Sequence, residues 1–278
     1  MDKNYKSVTD IEELKRYIGD AGVVSFDYET AADKGHRSEE KAALDPHRAH
    51  ITECSYSVQE GTGVSVPLRH LTGKNMDWDV WLSFHKELLE SHRVVKVCHN
   101  IAFESAFSYH LGIVIQAPVY DTICAAQMTQ NGDYSFRRLK DSGLKTLSAE
   151  LLGYKRKTFT ETTDGKPFDE LDPQDPETIA YACEDADQAL QLMRIFNDWF
   201  DKYLPRHRWI VENLESPTAV YLGIMKYNGA PLDVPLMEGK KREAEIEMEK
   251  LREKIAFIIG DVNIGSNCFT KAFKEYLY

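Results

Sequence analysis

The stretch Val23-Val24-Ser25-Phe26-Asp27-Tyr28-Glu29-Thr30 sets two carboxylates into an otherwise apolar strand pattern. Ser25, Asp27 and Glu29 alternate with Val24, Phe26 and Tyr28, so an extended chain puts both acids on one face and the large apolar side chains on the other. Acids on a hydrophobic strand are costly to desolvate unless they are paired or hold a cation. Any fold for this chain must therefore bring further chemistry to that face.

Two other segments can supply it. The apolar run Val94-Val95-Lys96-Val97-Cys98 predicts a strand, and His99-Asn100-Ile101-Ala102-Phe103-Glu104 follows, with Asn100 suited to N-cap a helix and Glu104 in its first turn. Asp175-Pro176-Glu177 opens the clearest helix of the chain, carried by Ile179, Ala182, Ala186, Leu190, Met193 and Phe196 at helical spacing. On it Tyr181 and Asp185 are four apart and share a face. A single Asp-X-Glu or Tyr-X-X-X-Asp is usually a solvated pair, but the ordered set is far more specific. Mg²⁺ demands oxygen ligands, and two such ions about 3.5–4 Å apart can stabilise both the attacking and the leaving oxygen of a phosphodiester displacement. Asp27, Glu29, Glu104 and Asp185 together read as a two-metal nuclease centre.

In order, spacing and flanking residues, the three segments resemble motifs Exo I, Exo II and Exo III of the DnaQ-like 3′–5′ exonucleases, in the proofreading version found in bacterial and phage DNA polymerase I-type enzymes. Tyr181-Ala182-Cys183-Glu184-Asp185-Ala186-Asp187 is the closest match, and Asp121-Thr122 and the stretch 144–153 are similar to further family landmarks. The similarity runs over about 23–200. Glu104 departs from the pattern, where the family usually has Asp. The resemblance implies an α/β fold, a ribonuclease H-like mixed sheet flanked by helices, and a cofactor of two Mg²⁺ or Mn²⁺ ions. It implies that Asp27 bridges both ions, that Glu29 and Asp185 complete the first, that Glu104 serves the second through water, and that Tyr181 orients the attacking water. Thr30, Asn100 and Phe103 are implied to line the terminal nucleotide, whereas Glu184 and Asp187 are expected to face solvent.

With 278 residues, 42% of them hydrophobic, the chain can fill a large core without staples. Its five cysteines (Cys54, Cys98, Cys124, Cys183 and Cys268) are scattered and form no CxxC pair, which predicts reduced thiols, several of them buried, and argues against zinc. No leader-like segment and no run of eighteen apolar residues appear, so a cytoplasmic location with no membrane partner is expected, in a bacterium or a phage-infected cell. A net charge of −11 is unusual for a nucleic-acid enzyme. Ions at the acidic centre reverse part of that field. Arg137, Arg138, Lys140, Lys145, Lys155, Arg156 and Lys157, interleaved with Phe136, Tyr154 and Phe159, form a candidate strand-guiding rim, with a solvated surface as the equal alternative.

A short amphipathic helix is expected at 11–18, an antiparallel meander over 22–29, 51–58 and 63–67, and a long exposed loop over 31–50 whose His36, His47 and His50 are solvated. A helix at 78–89, a strand at 94–98, a helix at 101–111 and a short strand at 119–120 complete the unit. The expected division is an exonuclease domain over 1–205 and a helical extension over 206–278. The extension is a C-terminal helical hairpin similar to the start of a polymerase thumb, without the palm and therefore without polymerase activity. The expected substrate is a single-stranded or frayed DNA 3′ end, and the tail is expected to hold a duplex or a separate polymerase chain. A 3′–5′ exoribonuclease and a non-catalytic DNA-binding polymerase fragment are the alternatives.

Overall fold

The computed structural model describes residues 3–130, 139–154, 159–260, 263, 271 and 273–276. Its sheet comprises β1 (Asn4–Ser7), β2 (Val23–Ala32), β3 (Ala49–Ser57), β4 (Thr62–Pro67), β5 (Val95–Cys98) and β6 (Val119–Asp121), in the order β1-β4-β3-β2-β5-β6. β2, β3 and β4 form the expected antiparallel meander, while β5 and β6 join β2 in parallel and β1 pairs in parallel with β4. The sheet is thus mixed. The helices are α1 (Ile11–Ile18), α2 (Trp78–Glu90), α3 (Ile101–His110), α4 (Thr122–Gln130), α5 (Leu144–Leu147), α6 (Phe159–Thr163), α7 (Pro176–Tyr203), α8 (Pro205–Ile210), α9 (Ser216–Asn228) and α10 (Val234–Ile259).

Local chemistry explains how two of the helices start. Asp10 accepts the Glu12 N–H at 3.0 Å to open α1, whose Leu14 and Ile18 are buried. Asp175 accepts the Glu177 N–H at 2.8 Å ahead of Pro176 in α7, as the sequence predicts. The apolar face of β2 packs into a core with α1, α2 and α3, where Phe26, Tyr56, Trp81, Leu89 and Phe107 are buried. A second core holds α7 against α4 and β5 through Val97, Ala126, Leu190 and Phe196. α7 crosses the strands closely enough that a Cβ on Gly63 of β4 would sit 2.8 Å from the Cβ of Cys183. That contact selects glycine.

The chain divides into two compact units, Met1–Asn228 and Gly229–Tyr278. The boundary expected near 205 lies inside the first, because α9 is packed on α3. Gly223 of α9 approaches α3 so closely that a Cβ would lie 2.3 Å from the Ala102 carbonyl oxygen. Ser105 donates to the Val220 carbonyl at 2.7 Å, and Ser216 accepts the Asp121 N–H at 2.9 Å. In the second unit, α10 has no buried residue among those described.

Cys54, Cys98 and Cys183 are buried and Cys124 is half-buried, all with free thiols, and Cys268 lies outside the described residues. No described helix is long and apolar enough to cross a membrane.

Candidate active site

β2 delivers Asp27 and Glu29 side by side because its residues alternate between faces, and both are half-buried. In the pairing with β3, Asp27 stands opposite Ser55 and Glu29 opposite Glu53, and a bulge follows between Glu29 and Thr30. α7 lowers Asp185 onto the same spot. Ligand oxygens of Asp27, Glu29 and Asp185 all lie within 4.8 Å of one another. Around them is an open pocket of about 440 Å³ lined also by Thr30, Ala43, Leu44, Asn100, Phe103 and Tyr181.

Glu104 stands apart from this trio. It is only 1% exposed in the first turn of α3, and burial followed by the nearby charge of Asp27 pushes its carboxyl well above the usual range. Its Oε2 is buried with no hydrogen-bond partner among the described residues. Three converging carboxylates with a fourth buried oxygen beside them form a hard-oxygen donor set, which fits a divalent cation of the Mg²⁺ or Mn²⁺ type.

α3 starts differently from the sequence-based expectation. Asn100 takes the left-handed conformation, φ 74°, and its side chain makes no cap bond. Asp121, buried at the end of β6, instead accepts the backbone N–H groups of Asn100, Ile101 and Ile123 at 2.9, 3.0 and 2.9 Å. Burial raises its carboxyl despite these donors. Asp121 therefore anchors the turn that carries Glu104, and Asn100 is free to line the pocket.

The two acids expected to face solvent do not. Asp187 is 1% exposed and accepts the Tyr5 hydroxyl at 2.7 Å, the Gly61 N–H at 2.9 Å and the Gln191 amide at 3.0 Å. Glu184 is half-buried and pairs with Lys3. Helix periodicity could not reveal this, since the partners come from the N-terminal strand and the β3–β4 turn. Thr30 lines the pocket, but its hydroxyl donates to the Ala43 carbonyl at 2.6 Å and ties the 42–44 turn to β2.

Support behind Tyr181 was missed by sequence reasoning. Its ring lies 5.9 Å from that of Phe168, which packs 5.6 Å from the His70 ring. His70 pairs at 3.1 Å with Glu53, both side chains fully buried, and Ser65 also donates to Glu53. An acid in the apolar run Ile51-Thr52-Glu53-Cys54 carries the same desolvation signal as Asp27, so Glu53 could have been found.

The 31–50 segment is more structured than expected. β2 extends to Ala32, β3 starts at Ala49, and between them Ala42 is buried. His36 bonds to Glu39, His50 to Asp33, and His47 stacks on Tyr227 at 4.3 Å. Of the candidate basic rim, Phe136, Arg137, Arg138, Lys155, Arg156 and Lys157 and the Phe159 side chain lie outside the described residues; Lys140 and Lys145 are exposed, and Tyr154 lies under the Lys3 ammonium at 4.8 Å.

Residues 5–199 match the 3′–5′ exonuclease family. A 98-residue stretch is 32% identical to the thermostable DNA polymerase I of Thermus filiformis, covering 32% of this chain and 12% of that polymerase. The fold is similar to that of Brucella melitensis NrnC bound to pGG (TM-score 0.56, 18% identity, 84% of this chain and 99% of that one). It is also similar to Trypanosoma brucei RNase D in complex with RNA U12 (TM-score 0.59, 19% identity, 79% and 70%). The POL domain of Pol1 from M. smegmatis, in complex with a DNA primer-template and dNTP, gives a TM-score of 0.64 at 15% identity, with 96% of this chain and 40% of that one covered. These likenesses bear out the expected ribonuclease H-like mixed sheet.

Proposed function

The chain belongs to the 3′–5′ exonuclease family, and on that premise we propose that it hydrolyses single-stranded or frayed DNA from the 3′ end, releasing nucleoside 5′-monophosphates. The observation that carries this reading is the convergence of Asp27, Glu29 and Asp185 in the floor of an open pocket, one helical turn from Tyr181. DNA is favoured as substrate because the polymerase I relative is matched by sequence as well as by family.

In this mechanism Asp27, Glu29 and Asp185 would hold one divalent cation, and Glu104 would help to hold a second. Bound there, such ions supply charge neutralisation and Lewis acidity for phosphodiester hydrolysis. Phe103, Asn100 and Thr30 flank the terminal nucleotide beside the carboxylates. Tyr181 holds the attacking water in line with the scissile bond, and its ring is steadied by Phe168. Water oxygen bonds to phosphorus, the P–O3′ bond breaks, and the water proton ends on the departing 3′ oxygen. The products are a nucleoside 5′-monophosphate and a strand one residue shorter.

A 5′-labelled single strand incubated with the full chain and Mg²⁺ or Mn²⁺ tests the reading. A ladder that shortens from the 3′ end is expected, and an intact strand overturns it. A second reading, 3′–5′ exoribonuclease, is favoured by the fold shared with RNase D, whose structure holds RNA U12; matched DNA and RNA strands separate the two. The retained donor set speaks against a non-catalytic fragment. The second unit, with Leu236, Met237, Phe257 and Ile258 exposed along α10, is proposed to hold a duplex or a polymerase chain.

A further inference from the structure

The two walls of the pocket meet again outside it. One wall is the turn that contributes Ala43 and Leu44, and it continues to His47. The other is α3, which contributes Phe103 near its start and ends at His110, two helical turns or about 10 Å farther along the same face. His47 and His110 come together at Tyr227 of α9. The His47 ring stacks on Tyr227 at 4.3 Å and 26°, and His110 approaches the Tyr227 hydroxyl at 3.3 Å. The two imidazoles are 6.1 Å apart, and Tyr109 meets Tyr227 edge-on at 5.2 Å. Both histidines are exposed and Tyr227 is half-buried, so the rings form a surface feature.

Positive charge lies nearby in a chain that is acidic overall. Arg69 is exposed, with its guanidinium 3.9 Å over the Trp78 ring. It is within electrostatic reach of His110, with Asp33 the opposing charge. Flat rings beside a cation are what a single strand uses, since every base presents a π-face and every linkage a phosphate.

Resting on the exonuclease reading above, we propose that Tyr227, His47 and His110 form a stacking shelf for the bases just upstream of the terminal nucleotide, with Arg69 attracting their phosphates. The strand leaves the pocket between the 43–47 turn and α3 and lays its next bases on this shelf. α9 thereby belongs to the substrate-binding surface as well as to the packing of α3.

The full chain and its Tyr227→Ala and Tyr227→Phe variants are compared by kcat/KM on a DNA dinucleotide and on a single strand about ten nucleotides long. For Tyr227→Ala the long-over-short preference is expected to fall about tenfold, through KM, and Tyr227→Phe is expected to retain it. Equilibrium binding of the fluorescent long strand, read by anisotropy, gives a measure independent of cleavage, with a similar loss expected for Tyr227→Ala. A wild type that binds but cleaves nothing would refute the exonuclease reading and leave the binding comparison to judge the shelf. Unchanged length preference and unchanged binding in Tyr227→Ala would overturn the shelf, as would a change confined to melting temperature.

Discussion

The acids at the pocket and the buried acids Asp121 and Asp187 look alike in the sequence and stand in different surroundings. Asp121 and Asp187 are each met by three protein donors. Such a carboxylate is a structural rivet, and its charge is answered by N–H and O–H groups. Asp27, Glu29 and Asp185 bring their ligand oxygens within 4.8 Å of one another, and Glu104 keeps an orphaned oxygen beside them. Like charges gathered this way raise the free energy of the fold unless a cation answers them. An acid's role is therefore decided by what faces it, and that can be broken experimentally one residue at a time.

The largest contrast is expected at Asp27 and Asp185. Replacing either with Ala should lower the exonuclease rate about a thousandfold or more while leaving the melting temperature unchanged or higher, because a repulsive charge leaves with the ligand. Residual activity within tenfold of wild type would remove these residues from the centre. Asp121→Ala should do the reverse, costing about 3 kcal/mol of stability in urea unfolding by stranding three backbone N–H donors, that of Ile101 buried. The same packing revises the expectation that a chain ending near Leu204 suffices. Such a chain loses Ser216 and the α9 contacts with α3, and should unfold or precipitate, whereas a chain ending at Asn228 should fold and cleave.

Glu104 tests the line between the two classes. Glu104→Gln keeps the shape and removes a charge that burial already disfavours, so stability should hold or rise while activity falls about thirtyfold, partly recovered at raised Mn²⁺. Glu104→Asp should recover only part of the rate. A fully active Gln variant would move Glu104 to the structural class. The smallest effect is expected for Tyr181→Phe, about tenfold in kcat with metal dependence unchanged, because positioning is lost and every carboxylate stays.

Much of the centre was legible because its signals are local. Alternation alone put Asp27 and Glu29 on one face of β2, helical spacing alone put Tyr181 and Asp185 on one face of α7, and the Asp-Pro-Glu start placed that helix correctly. Proximity in the chain also placed Glu104 in the first turn of α3. Apart from Glu53, whose signal was local, the main failures were non-local. Asn100 has the composition of a cap, yet the cap comes from Asp121, twenty-one positions on, through a strand that only the sheet brings alongside. Asp187 shows the spacing of an exposed acid, yet Tyr5 and Gly61 arrive from the far edge of the sheet.

By itself the sequence determined which side chains share a face, because backbone geometry repeats every two residues in a strand and every 3.6 in a helix. Which acids would converge at the pocket and which would be buried among donors from elsewhere was decided only in the tertiary structure. Most of those donors are backbone and hydroxyl groups from distant segments, and solvation of a buried charge depends on every neighbour within a few ångströms, whatever its place in the chain.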